Sequence, residues 1–167
     1  MIKAFAKMGL PFLLWVAVIP PARALNDADM DDVQTQAQAT VDAFRACRDK
    51  VDTAARILRK TAADHGQPGE LDDPEVLGAI AQALSDDERS LLQDEADAVA
   101  TVPAELTDLS LTLPALTTRI EACLGECSED RRRGLTDARD ALKAIAGEIE
   151  GLKIAADDLA NELAVLL

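Results

Sequence analysis

Apolar residues recur at heptad spacing near both ends of the chain. Between residues 33 and 61 one line runs Val33, Thr40, Cys47, Ala54 and Thr61, and a second, offset by four, runs Ala37, Phe44, Val51 and Leu58. Positions three and four apart share one face of a helix, so these lines predict a single helix from about Ala28 to Asp64. Asp42, Arg45, Arg48, Asp49, Asp52, Arg56 and Arg59 fall off that stripe, and His65-Gly66-Gln67-Pro68-Gly69 supplies the residues that end a helix. The last segment repeats the arrangement. Leu135, Leu142, Ile149, Ala156 and Leu163 form one line, and Ala138, Ile145, Leu152, Leu159 and Leu166 form the other. A seam unbroken over more than four heptads is long enough for coiled-coil-like packing. Gly134, Gly147 and Gly151 lie beside it, each weakening the helix by roughly 1 kcal/mol relative to alanine while leaving room for a neighbouring backbone. Two seams of similar length predict terminal helices packed in one bundle. The competing arrangement pairs one seam with another chain, for example in a homodimer.

Shorter elements lie between. Asp73-Pro74 places proline at a helix start, with Val76, Leu77, Ile80 and Leu84 as its apolar face. Ser85 followed by Glu88 reads as a capping box opening a helix toward Thr101. Pro103 starts another turn or two. Leu109, Leu111 and Leu113 alternate too briefly for a strand, and Pro114 is expected to begin a helix with Leu116, Ile120, Cys123, Leu124 and Cys127 inward. Its phase does not run into the Leu135 line, so the axis should break between Gly125 and Gly134, with Ser128 as the new N-cap ahead of Glu129 and Asp130. The expected class is all-α: an elongated helical bundle with long, heptad-patterned N- and C-terminal helices and shorter ones between.

The first residues do not belong to that bundle. Lys3 and Lys7 precede an apolar run from Met8 to Ile19, and Pro20-Pro21-Ala22-Arg23-Ala24 puts Ala22 and Ala24 at the small positions a signal peptidase reads. The expectation is a signal peptide over residues 1–24, cleaved after Ala24, and a single domain over 25–167. A run broken by Pro11 and shorter than the ~20 residues a membrane span needs argues against an anchor. Export places the mature chain in a periplasm or outside the cell, with no membrane association after cleavage.

Charge sharpens the picture. The whole chain carries a formal −14; the leader holds Lys3, Lys7 and Arg23 and no acid, so its loss leaves −17. A field of that sign repels nucleic acid and anionic lipid and suits a soluble protein with cationic or neutral partners. Removing the leader also removes Phe5, Phe12 and Trp15, leaving Phe44 as the one aromatic, and there is no tyrosine. The core must come from aliphatic residues, and stacking platforms for rings are scarce.

Cys47, Cys123 and Cys127 carry the most specific chemistry. In an exported chain they are disulfide candidates. A bridge from Cys47 to Cys123 or Cys127 would close a loop of roughly 80 residues, worth about 4–5 kcal/mol in the loop-entropy picture. The rival is a local Cys123–Cys127 bridge eased by Gly125. An odd thiol remains either way, which leaves a covalent homodimer open. His65 is the single histidine, so general acid–base and nucleophilic catalysis lack their usual parts. It is expected to face solvent at its helix end. No haem, zinc or calcium motif is complete: Asp27-Ala28-Asp29-Met30-Asp31 opens like a calcium loop, but Asp32 and Gln38 occupy the glycine and glutamate places. Arg131-Arg132-Arg133 is expected to pair within its own helix with Glu129, Asp130, Asp137 and Asp140.

These features point to an exported, non-enzymatic helical interaction protein without cofactor or metal, acting on protein partners as scaffold, adaptor, chaperone or assembly subunit. The expected structural residues are Phe44, Val51 and Leu58 on the first seam and Leu135, Leu142, Ile145, Ile149, Leu152, Leu159 and Leu163 on the second. The alternative is a thiol-, metal- or small-ligand-binding module built from Cys47, Cys123, Cys127 and the acidic loops.

Overall fold

A computed structural model describes residues 27–66 and 73–167. The expected signal-peptidase positions Ala22 and Ala24 lie outside the described residues, as do Gln67, Pro68, Gly69, Glu70 and Asp72. Among the described residues there are five helices and no strand: α1 (Asp27–Asp64), α2 (Pro74–Ala83), α3 (Asp86–Ala100), α4 (Val102–Glu126) and α5 (Glu129–Leu166). The protein is an all-α helical bundle.

Polar pairs across the helices fix their directions. Arg131 reaches Asp31 and Arg48 reaches Glu148, both pairs 100 residues apart, so α1 and α5 run parallel. Along α1 from Asp32 to Lys50 to His65, the partners step backward through Arg119, Glu105 and Glu88. The limb made of α3 and α4 therefore runs antiparallel to α1. The result is an up–down–up bundle, with the short α2 also packed on α5. At 1.5 Å per residue, the 38-residue α1 and α5 are each about 57 Å long.

The seams close on each other within this one chain. Val33, Ala37, Phe44, Cys47, Val51, Ala54, Leu58 and Thr61 are buried on α1, as are Leu135, Leu142, Ile145, Ile149, Ala156, Leu159, Leu163 and Leu166 on α5. Leu152 and Ala138 are partly buried and pack against the same core. Thr40 is half-buried, its hydroxyl donating to the Gln36 carbonyl. Facing them from the middle limb are Leu92, Val99, Val102, Leu106, Leu113 and Ile120.

Local signals set the boundaries. Gly66 takes φ +76°, a left-handed conformation that stops α1 at little steric cost. Asp73 caps α2 by accepting from the Glu75 amide at 2.9 Å, with Pro74 in the first turn. Ser85 and Glu88 form the full reciprocal capping box of α3. Ser128 sits at the N-cap of α5, where its carbonyl receives the Arg131 and Arg132 amides but its side chain makes no cap bond.

The middle limb departs from expectation. Pro103 opens a 25-residue helix rather than a turn or two, and Pro114 lies inside it instead of beginning a new one. Leu109 and Leu113 are helical and buried, whereas Leu111 is 70% exposed. The apolar spacing Leu106, Leu109, Leu113, Leu116, Ile120 and Cys123 is continuous in helical phase across the proline. Burial of that face outweighs the one hydrogen bond Pro114 removes. The glycines of α5 also differ from one another. A side chain at Gly134 would meet Gln34 of α1 at 2.9 Å, but Gly147 and Gly151 have nothing within 4 Å, so no neighbouring backbone uses the room they leave.

Candidate functional site

Two places on the bundle combine accessible surface with unusual chemistry. The first is an open groove of about 400 Å³ between α4 and α5. Ser110, Leu113, Pro114 and Thr117 form one wall; Leu142, Lys143, Ala146, Ile149 and Glu150 form the other. Its sequence origin is Pro114. Lacking an N–H, the proline leaves the Ser110 carbonyl without its helical partner, and both residues line the groove, where solvent or a ligand reaches them. Ala146 opposite is too small to fill the gap. Lys143, paired with Glu121 at 3.8 Å, and Glu150 put one charge of each sign on an otherwise apolar wall. Leu111 and Ile154, 70% and 54% exposed, lie outside the groove's lining.

The second place is the joint between α3 and α4. Thr101, the one residue between them, keeps α-helical angles (φ −82°, ψ −23°), so one helix passes into the next without unravelling. Its hydroxyl donates to the Ala98 carbonyl at 2.9 Å and accepts from Lys50 at 3.1 Å. Lys50 also donates to both Glu105 oxygens, at 2.7 and 2.9 Å, and the Cys47 thiol donates to Glu105 Oε2 at 3.4 Å. Burial opposes ionisation of Glu105, but hydrogen bonds from Lys50 and Cys47, with the Lys50 charge, outweigh it and hold the carboxyl below its usual range. The Cys47 thiol is pushed up to about 11 by its own burial and then by the Glu105 carboxylate. A thiol so protonated is a weak nucleophile and a poor metal ligand. This cluster ties α1 to the joint.

The three cysteines are buried and none is in a disulfide. A bridge between Cys47 and Cys123 or Cys127, expected from the sequence, is not formed, and the reason is register. Cys47 lies beside Glu105, and the eighteen residues of continuous helix from Glu105 to Cys123 span about 27 Å. Disulfide geometry needs Cα atoms within about 7 Å. The same separation divides the donor set of the metal- or ligand-binding alternative, and among the described residues no three His, Cys, Asp or Glu side chains converge to hold a metal.

His65 does not simply face solvent. Its side chain is 21% exposed and its Nε2 lies 3.2 Å from Glu88 Oε1, joining the end of α1 to the start of α3. Glu88 in turn receives the Ser85 hydroxyl at 2.6 Å and the Ser85 amide at 2.8 Å, and these bonds hold its carboxyl below the usual range. The serine and histidine both address the carboxylate and not each other, so they do not form a serine–histidine pair. The arginine triplet is likewise redirected. Arg131 leaves its own helix for Asp31 at 2.6 Å and Asp27 at 3.6 Å, and only Arg132 pairs locally, with Glu129 at 3.3 Å.

Between residues 70 and 108 twelve acids accompany one base, Arg89. Asp86, Asp87, Asp94 and Asp97 of that stretch are exposed on α3. No described helix is long and apolar enough to cross a membrane. No family model, curated protein or solved structure matches the chain. The groove and the acidic α3 surface were not anticipated from the sequence. Pro114 within a continuous apolar phase was the available signal for the former, and the one-sided charge count for the latter.

Proposed function

We propose that this chain is an exported, non-enzymatic interaction protein, cleaved after Ala24 and working in a periplasm or outside the cell as a scaffold or adaptor. It engages a protein partner at the α4–α5 groove. The observation that carries this reading is that groove, open and largely apolar between α4 and α5. Both heptad seams are consumed within the bundle, so a partner meets the outer surface and not an open coiled-coil stripe. An open concavity with apolar walls is what a partner's apolar anchor requires. The acidic stretch at residues 70–108 favours a partner with basic flanks and speeds its approach at low salt.

The test is capture from the exported fraction with a photo-crosslinking residue at Thr117, on the groove wall. A discrete crosslinked polypeptide is expected. Ala146→Arg, which fills the groove from an exposed position, should reduce the product at least tenfold without changing helicity or melting temperature. Equal capture by the variant, or no product from wild type, overturns the proposal.

A further inference from the structure

Cys123 and Cys127 stand apart from the rest of the molecule in being two thiols one helical turn apart, at the end of α4. Both are buried, and the Cys127 amide donates to the Cys123 carbonyl at 2.9 Å, closing the last turn. That turn puts their Cβ atoms about 5–6 Å apart. A disulfide needs roughly 3.5–4.5 Å. Bridge and regular turn are therefore in competition, and the Cβ atoms must approach by about 1–2 Å at the expense of that hydrogen bond.

The corner is built to permit the exchange. Gly125 lies between the cysteines with open space around it, and Cys127 has already left helical geometry at ψ 156°. Ser128 adds no side-chain cap that would pin the next helix start. Cys47, about 27 Å away along α4, cannot compete for either sulfur. We infer that Cys123 and Cys127 form a redox-active dithiol whose oxidation to a disulfide unwinds the last turn of α4 and whose reduction restores it.

The step is thiol–disulfide exchange with an external disulfide. Cys127, in the terminal turn and the less buried of the two, attacks first as thiolate, forming a mixed disulfide and expelling one thiolate. Cys123 then attacks the Cys127 sulfur and expels the second. Two electrons pass from the cysteine sulfurs to the external disulfide, and the two protons lost by the cysteines go to the departing thiolates or to solvent. Burial raises the Cys123 thiol, with Cys127, Asp29 and Glu126 opposing its ionisation and Arg119 favouring it, so attack requires the corner to open. An oxidising compartment would supply the disulfide in the proposed function. In the following test a buffer supplies it, so failure here and failure of partner capture are separate results.

The full chain is equilibrated in small-molecule thiol–disulfide buffers of graded ratio, alkylated and digested with trypsin. Arg119 and Arg131 bound a peptide, residues 120–131, that holds both thiols. Under oxidising ratios this peptide should appear unalkylated and two hydrogens lighter, with Cys47 alkylated only after unfolding. Exchange of the Cys127 amide hydrogen should accelerate at least tenfold on oxidation and return on reduction. Cys127→Ser should abolish the oxidised peptide, and Cys47→Ser should leave the transition in place. Double alkylation at every ratio, a bridge to Cys47, or a disulfide that forms while the Cys127 amide stays protected would each overturn the inference. The wild-type measurement decides the matter even where a variant folds poorly.

Discussion

Helix α1 and the α3–α4 limb lie side by side, antiparallel, yet α1 is one uninterrupted helix and the limb is two. Helix α1 contains no proline or glycine between Asp27 and Asp64; the limb contains Thr101 as a joint, Pro103 at a helix start and Pro114 in a helix interior. The regular helix contributes a seam and, to the joint cluster, Cys47 and Lys50. The irregular limb holds the joint cluster and the Pro114 groove, and it ends in the dithiol corner. Irregularity in the backbone thus coincides with the chemistry, because a missing helical hydrogen bond leaves a polar group that needs another partner.

The largest expected effect tests the regular side. Phe44 is 4% exposed, with the Arg48 guanidinium 5.2 Å from its ring centroid. Phe44→Ala should cost about 3–5 kcal/mol in urea unfolding. A loss under 1 kcal/mol would mean that the seam does not carry the bundle. The irregular side answers with the opposite sign. Pro114→Ala returns an N–H to the Ser110 carbonyl and should stabilise by roughly 1–3 kcal/mol, a gain below the full ~3 kcal/mol penalty of an interior proline because the helix has adapted to it. Stabilisation with loss of the photo-crosslink would show that the proline is kept for the groove.

How far the sequence discloses each side follows from the same contrast. Periodicity reads a continuous seam well, which is why α1 was placed to within a residue at its start and why the α5 line was traceable through three glycines. It reads a joint poorly. Pro103 and Pro114 look alike in sequence, but one begins a helix and the other lies inside one; the difference is the phase of leucines spanning Pro114. The Cys47 bridge failed for a related reason. Sharing an inward face places residues in the same core but does not place them at the same level, and level is set by cross-helix partners such as Lys50–Glu105 that heptad counting does not supply.

The joint can be separated from the seam by pH. The folded Cys47 thiol titrates near 11 against an ordinary 9.0, so the folded chain keeps this proton longer than the unfolded one. Its contribution is whole below pH 9 and is lost as pH rises through 11, by roughly 2–3 kcal/mol. Urea unfolding across that range should show a shallower alkaline decline in Cys47→Ala than in wild type. Equal slopes would mean that neither burial nor Glu105 holds the proton on this thiol. Helix starts offer a second comparison of about 1 kcal/mol. Ser85→Ala should cost that much because the hydroxyl caps α3, whereas Ser128→Ala should cost close to nothing because its side chain caps no amide.

The smallest effects distinguish three glycines that look equivalent along the α5 seam. Gly147 and Gly151 are exposed, helical and free of neighbours, so alanine at either removes backbone entropy from the unfolded chain without a clash. Each substitution should stabilise by about 0.5–1 kcal/mol, read as a rise in melting temperature. Gly134→Ala gains the same entropy but brings its methyl to 2.9 Å from Gln34 Nε2. That atom is the end of a flexible, exposed side chain, so it swings aside at small cost and the net change should lie near zero. Were Gly147→Ala or Gly151→Ala instead to destabilise the protein, or to change its sedimentation, something would have to be packed against that face in solution. The outer side of α5 would then be a contact surface in its own right, alongside the α4–α5 groove.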